Sequence, residues 1–309
     1  MKKVFIDGSV GTTGLRIFER LEGRADISLI KLDETKRKDA AFRKEALNRA
    51  DIAFLCLPDE AAAEAVAMVE NPETVIIDAS TAHRTDPGFT YGFPEIGLAE
   101  RIAASKRIAV PGCHACGFIA LTAPLIKAGI LTEASMLCCH SLTGYSGGGK
   151  SVIQSYADTN RNPLLATPGQ YALAQQHKHL KEMQAVTGLK TTPVFSPIIC
   201  DFYSGMALTV PLFAEQINGS ADDIREVYAK LYKGPVVTFL QGNENGIIYA
   251  GAMSGSDGMK IAVYGNEERI LLTALYDNLG KGASGAAVQC MNIVMGLPSE
   301  ISLELIKES

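Results

Sequence analysis

The chain has 309 residues, of which 47% are hydrophobic and 20% charged, a composition that places it among ordinary globular proteins and excludes disordered and fibrous classes. Its formal net charge of -5 argues against a general nucleic-acid binder, which needs a surplus of Lys and Arg, and fits a small-molecule substrate better. An odd count of seven cysteines, several of them inside apolar runs, and no signal peptide ahead of the first strand imply a reducing cytoplasm, and no apolar stretch approaches the roughly 18–20 residues needed to cross a membrane.

Over the first hundred or so residues short apolar runs alternate with amphipathic segments, the pattern of a parallel sheet covered on both faces. Strands are expected at 4–6, 27–32, 52–57, 75–78 and 108–110, with helices at 13–21, 39–49 and 60–69. After about Cys113 the style changes. A helix at 117–128 leads to a strand-like run at 135–142, and strand-like runs then dominate at 194–199, 207–211, 236–240, 247–252 and 260–264. Their spacing predicts a mostly antiparallel sheet in a second domain, covered by a helix at 221–231. A Gly- and Ala-rich helical pattern at 285–295 is suited to close packing on the first domain. The expected division is therefore 1–112 with 286–309 for the first domain and 113–285 for the second.

The first strand runs into Gly8-Ser9-Val10-Gly11-Thr12-Thr13-Gly14, a Gly-x-x-Gly-x-x-Gly loop that opens a helix. Backbone N–H groups at such a start can meet a pyrophosphate, and a Cβ would block the approach. Gly8, Ser9, Gly11, Thr12, Thr13 and Gly14 are the expected dinucleotide contacts; the structural alternative is three glycines in a tight turn. After the second strand, Asp33 and Glu34 suit the ribose 2′-hydroxyl of NAD, while Lys36, Arg37 and Lys38 suit the 2′-phosphate of NADP. A solvated charge run has the same composition.

Pro111-Gly112-Cys113-His114-Ala115-Cys116 joins a strand to a helix, so Cys113 is expected beside a helix N-terminus, whose partial positive charge favours a thiolate. The competing readings are a buried structural thiol, a Cys-x-x-Cys redox pair with Cys116, and half of a metal site. A zinc site wants a second ligand pair, and Cys138-Cys139-His140 lies in a strand-like run where neighbours point to opposite faces, so no metal is expected. A thiolate attacking an acyl group also needs an acid and base, and the histidines concentrate in Tyr171-x5-His177-Lys178-His179-x2-Glu182. On a helix His177 and His179 diverge by about 200°, a constraint that an extended start at His177 relaxes.

Gly144-Tyr145-Ser146-Gly147-Gly148-Gly149-Lys150-Ser151 satisfies the P-loop pattern, and Asp201 follows an apolar run, so a nucleoside-triphosphatase is the reading from another class. Against it stand the antiparallel sheet expected after Ser151 and Pro197 in the strand that should carry Asp201. The same loop and Lys150 suit the leaving phosphate of an acyl phosphate equally well.

From end to end the chain resembles the N-acetyl-γ-glutamyl-phosphate reductases, in particular their short, type 2 form. The resemblance is carried by the Gly8 to Gly14 loop, Asp78-Ala-Ser-Thr-Ala-His-Arg84, Tyr91-Gly-Phe-Pro-Glu95, Pro111-Gly-Cys-His-Ala115, Thr143 to Lys150, the Tyr171 to Glu182 cluster and Asp277-Asn-Leu-Gly-Lys-Gly-Ala-Ser-Gly-Ala286. It implies an α/β fold, a Rossmann-like NADP-binding domain with an α+β catalytic domain of the semialdehyde-dehydrogenase type, and a homo-oligomer, dimer or tetramer. It also implies reduction of N-acetyl-γ-glutamyl phosphate by NADPH through a thioester. By position in the motifs, Cys113 corresponds to the nucleophile and His177 to the acid/base, with Arg84, Lys150, His179 and Glu182 on the substrate. Cys116 departs from a common Thr, Asp257-Gly258 from an Asn-Arg pair, and Phe202-Tyr203-Ser204-Gly205 lacks the Arg of the long form. Reductases of aminoadipyl or aspartyl phosphates share most of this chemistry, and a non-catalytic cofactor binder is the third class.

Overall fold

In the computed structural model, which describes residues 1–241 and 246–306, the N-terminal strands pair in parallel in the order β2-β1-β3-β4-β6-β5. They are β1 (Lys2–Asp7), β2 (Ile27–Ile30), β3 (Ile52–Leu55), β4 (Val75–Asp78), β5 (Thr90–Tyr91) and β6 (Arg107–Ala109). The helices between them are α1 (Thr12–Leu21), α2 (Ala40–Arg49), α3 (Asp59–Ala67) and α4 (Ala99–Ala104). Successive strand side chains point to opposite faces, and the two cores show it. Val4, Ile6, Ile52, Phe54, Val75 and Ile77 enter one cluster, with Ile17 and Leu21 of α1 and Val288 and Met291 of a helix over Gly285–Val294. Phe5, Ala53, Leu55 and Ile76 enter the other, with Leu47 of α2 and Ala62 and Ala65 of α3. The doubly wound sheet read from the alternation is therefore the one observed. Its strands end within two residues of the expected positions, β1 one residue later and β2, β3 and β6 one or two earlier, and β5 and α4 are additions.

The chain divides into two compact units, Met1–Pro111 with Ala283–Leu303 and Gly112–Gly282 with the residues from Glu304 onward. Residues 307–309, at the end of the expected 286–309 segment, lie outside the described residues.

In the second unit the sheet order is β11-β12-β13-β10-β7-β9-β8. The strands are β7 (Cys138–Gly144), β8 (Gly169–Gln170), β9 (Val194–Cys200), β10 (Met206–Phe213), β11 (Val237–Leu240), β12 (Met259–Gly265) and β13 (Arg269–Tyr276). Four of the neighbouring pairs are antiparallel, but β7 pairs with β9 and β11 with β12 in parallel. The parallel β7–β9 pair is made possible by α6 (Gly149–Ala157) and α7 (His179–Thr187), which supply the crossover. The expected strand at 247–252 does not form: the chain there has no ladder partner and makes a short 3-10 turn over Ala250–Met253.

One face of this sheet is covered by α5 (Cys113–Lys127), against β10 and β13, and by α8 (Ala221–Leu231), against β12; α7 packs on α5. Pro124 lies inside α5 and removes the N–H that would bond the Ala120 carbonyl. Tyr232 fills the gap, its hydroxyl donating to Ala120 O at 2.6 Å, and the Tyr228 hydroxyl of α8 donates to the next carbonyl, Leu121. The opposite face carries Val194, Phe213 and Leu271, which are 58%, 63% and 40% exposed.

Candidate active site

In the first unit β1 ends at Asp7 and the glycine loop begins at once. Gly8 has φ +87°, and a Cβ on it would overlap the Cys56 carbonyl oxygen, as one on Gly14 would overlap the Gly8 carbonyl. Gly11 N donates back to Gly8 O at 2.9 Å, closing the turn, and Thr12, Thr13 and Gly14 form the first turn of α1. A cavity of about 510 Å³ opens beside this loop, lined by Gly8, Ser9 and Val10 together with Lys31, Arg37 and Lys38. Lys36 is directed elsewhere, its ammonium standing 4.6 Å from the centre of the Phe42 ring. Arg37 pairs with Glu34 at 3.1 Å. At the cavity floor Arg43 holds Asp7 through Nε at 3.0 Å; burial raises the Asp7 pKa, and Arg43 opposes the rise. Arg84 is committed to its own framework, bonding Val110 O at 2.9 Å and Ala79 O at 3.1 Å.

In the second unit Cys113 is itself the first residue of α5, four residues earlier than the helix was expected to begin. Gly117, the expected first residue, therefore lies inside the helix, where glycine is costly. The reason for Gly117 is tertiary: a Cβ there would press on the Tyr276 hydroxyl. That hydroxyl donates to the Cys113 carbonyl at 2.7 Å, and Gly112 N, on the other side of the thiol, donates to Glu182 Oε1 at 2.7 Å. Glu182 is 2% exposed, so its carboxylate serves the backbone next to the thiol.

The histidines meet around the same helix start. His177 precedes α7, so the extended start relaxes the helical constraint, and its ring lies 4.7 Å from His179 and 5.6 Å from His114. Its Nδ1 accepts the His179 backbone N–H at 3.2 Å. Burial, with a smaller contribution from Lys178, lowers the His177 pKa to about 4. His179 is buried. His114 went unassigned in the sequence although it follows Cys113 directly. It is 3% exposed and bridges Ser141 Oγ, at 2.9 Å from Nδ1, to the Tyr171 hydroxyl, at 2.8 Å from Nε2. Phe195 closes the cluster against both His114 and His177.

The P-loop-like segment does follow a strand and precede α6, and β9 runs through Pro197 as the strand-like run at 194–199 predicts, so Pro197 does not count against a strand before Asp201. Proline removes only a donor: the Pro197 carbonyl still accepts from Tyr171 N at 3.1 Å, one strand in from the sheet edge. What disqualifies a phosphate cradle is where the amides go. Gly144, Tyr145 and Ser146 donate to the carbonyls of Gly205, Phe202 and Tyr203 at 2.9–3.0 Å, and Asp201 is paired with Arg161. Lys150 stands exposed in the first turn of α6. Ser204 donates to Asp277 at 2.6 Å, and Asp257 is fully buried, accepting from Glu304 N at 2.9 Å, so both departures from the resembled motifs have structural partners.

Residues 3–105 match the family model described as Semialdehyde dehydrogenase, NAD binding domain, and residues 113–278 the one described as Semialdehyde dehydrogenase, dimerisation domain. The chain is 45% identical to the N-acetyl-gamma-glutamyl-phosphate reductase 2 of Pseudomonas putida, covering 95% of this chain and 96% of that one. It is 43% identical to the protein of the same name from Nostoc sp., over 97% and 99% of the two chains. Among solved structures, aspartate semialdehyde dehydrogenase II of Vibrio cholerae shares the fold with a TM-score of 0.70 at 17% identity, over 96% and 99% of the chains. Aspartate semialdehyde dehydrogenase with NADP from Candida albicans does so with a TM-score of 0.67 at 14% identity, over 96% and 99%.

Proposed function

We propose that this chain, which belongs to the N-acetyl-gamma-glutamyl-phosphate reductase family, reduces N-acetyl-γ-glutamyl phosphate to N-acetylglutamate 5-semialdehyde, using NADPH and releasing phosphate, in arginine biosynthesis. The observation that carries the reading is the placement of Cys113. It is the first residue of a helix, its flanking backbone is held by Glu182 and Tyr276, and His177 stands over the neighbouring His114.

The Cys113 sulfur bonds to the acyl carbon while the carbon–oxygen bond to phosphate breaks, the electron pair leaving with phosphate. A dinucleotide held at the glycine loop would supply the hydride that the resulting thioester carbon accepts. The carbon–sulfur bond then breaks, its electron pair returns to Cys113, and the aldehyde leaves; the one proton consumed ends on phosphate. The first turn of a helix has N–H groups unused within the helix, and at α5 they favour both the thiolate and the oxyanion of each tetrahedral species. Burial, and then Lys178, lower the His177 pKa to about 4, so its ring is neutral in the resting site. With Nδ1 accepting from His179, the ring proton sits on Nε2, and we assign that N–H to the acyl oxygen as it becomes negative.

The glycine loop fits a dinucleotide, because side chains at Gly8 and Gly14 would close the space that a pyrophosphate needs. Gly8, Ser9, Gly11, Thr12, Thr13 and Gly14 would hold the pyrophosphate. Arg37, with Lys38 in place of Lys36, would meet the 2′-phosphate from the cavity wall. Lys150 at the start of α6 is the exposed cation suited to the substrate's anionic groups, while Glu182 and Arg84 act through the backbones they hold. The uncovered sheet face with Val194, Phe213 and Leu271 supports a homo-oligomer formed across it. No disulfide joins the described cysteines and, among the described residues, no helix is long and apolar enough to cross a membrane; both agree with a cytoplasmic enzyme.

The test is phosphate-dependent reduction of NADP by the purified protein with N-acetylglutamate 5-semialdehyde, alongside Cys113→Ser. Robust activity lost in Cys113→Ser supports the reading. A higher kcat/KM with aspartate semialdehyde would move the substrate, and ATP hydrolysis that disappears in Lys150→Ala, with no NADP reduction, would overturn the reductase.

A further inference from the structure

In a doubly wound sheet the side chain that meets the ribose 2′ position of a dinucleotide stands at the end of the second strand, about 20 residues beyond the glycine loop. β2 ends at Ile30, so in this chain that place falls to Lys31, ahead of the charge run at 33–38. Alternation along the strand aims it. Ile30 and Leu32 pack against the cluster that holds Leu47 of α2, whereas Leu29 and Phe18 pack against the one that holds Ile17 of α1, and Lys31 shares the side of Leu29. Its ammonium stands 4.8 Å from the centre of the Phe18 ring, and both side chains line the cavity of about 510 Å³ beside Gly8, Ser9 and Val10.

The basic side chains around this cavity differ in the charge they can offer. Arg37 is paired with Glu34 at 3.1 Å, and Lys36 stands over Phe42, outside the lining. Lys31 and Lys38 have no carboxylate partner among the described residues, and of these two Lys31 alone rests on a ring. A carboxylate cancels much of a cation's field, whereas an aromatic face orients an ammonium and leaves its charge intact.

We infer that Lys31, oriented by Phe18, selects NADP over NAD by facing the 2′-phosphate that distinguishes the two cofactors. NAD carries a neutral hydroxyl at that position, and a phosphate monoester there adds a charge of about −1.5 to −2 at pH 7. Arg37, offset by Glu34, adds less to the discrimination. The inference rests on the glycine loop being the NADP site, and it does not depend on the acyl substrate.

Titration of the full-length protein with NADPH and with NADH, followed by the change in reduced-nicotinamide fluorescence, reads it without turnover. Lys31→Met keeps an unbranched apolar stem over Phe18 and removes the charge; it should raise the Kd for NADPH about tenfold and leave that for NADH within about twofold. Lys31→Arg should keep most of the preference, since a guanidinium also stacks on a ring. Phe18→Leu should lower the NADPH-to-NADH preference about threefold, and the double variant with Lys31→Met should show the preference of Lys31→Met alone, because the ring discriminates only through the ammonium. The wild-type preference should fall as salt is raised, and that of Lys31→Met should fall less. An unchanged Kd for NADPH in Lys31→Met, or equal losses of NADPH and NADH binding, would overturn the inference. A wild type that binds neither cofactor would overturn it together with the cofactor reading, while a wrong acyl substrate would show only in the reduction assay.

Discussion

Replacing His114 by Phe removes a titrating group that the fold keeps neutral. Burial, then His177, lowers its pKa to about 3, whereas an unfolded chain restores the ordinary value of about 6.5. Between those two values the unfolded chain binds one more proton than the folded protein, so this group makes stability fall as the pH falls. Above about 6.5 both states are neutral, and the stability it contributes is fully present. From pH 7 to pH 5 the loss amounts to about 2 kcal/mol, at roughly 1.4 kcal/mol per unit over the part of the window crossed. The Phe ring keeps most of the volume but leaves the buried Ser141 hydroxyl without its acceptor, at a cost of about 1–3 kcal/mol that does not depend on pH. His114→Phe should therefore be less stable than wild type at pH 7, and the gap should narrow by about 2 kcal/mol at pH 5. Urea unfolding of both proteins at several pH values, at one ionic strength and one protein concentration, measures it. Parallel pH dependences in the two proteins would refute the neutral ring.

Gly14→Ala sets a Cβ against the Gly8 carbonyl and should raise the KM for NADPH at least about tenfold in a folded protein, since the loop must shift to accept it; an unchanged KM would separate this loop from cofactor binding. Glu182→Ala strands the buried Gly112 N–H and should lower stability by about 1–3 kcal/mol together with kcat, while Glu182→Gln, which keeps an acceptor oxygen, should recover most of both in paired unfolding and rate measurements. Phe213→Asp places a charge on the uncovered sheet face and should shift the protein toward monomer in sedimentation velocity; an assembly that survives it does not use that face. Tyr232→Phe leaves Ala120 O without the donor that compensates for Pro124, and should cost about 1 kcal/mol in urea unfolding with activity unchanged.

The parts of this protein that depend on near neighbours were legible without coordinates. Alternating apolar runs place β1, β3 and β4 between two helix layers, because strand side chains change face at every residue. The glycine spacing marks the turn into α1, and Pro111-Gly112-Cys113 marks a thiol at the start of a helix. Where long-range contacts intervene, local signals mislead. Gly117 stands at the start of the helix expected at 117–128, yet in α5 it is an interior residue that leaves room for Tyr276, 159 positions away (276 − 117). Residues 247–252 look like a strand and are not one, because no neighbour offers a ladder. The near-continuous apolar run of β13 gave no period of its own and was passed over, although it lies between β10 and β12 in the sheet. Lys36 looked equal to Lys38 until Phe42 claimed it.

By itself the sequence determined which groups are able to carry chemistry and which segments alternate, since both are properties of a residue and the few around it. Tertiary structure alone decided which of those groups are already engaged and where their protons sit. His114 meets Ser141 and Tyr171 across 27 and 57 residues of chain, and Glu182 reaches Gly112 across 70. A hydrogen bond is settled by the partner that folding brings within 3 Å, and no local pattern in the chain records that partner.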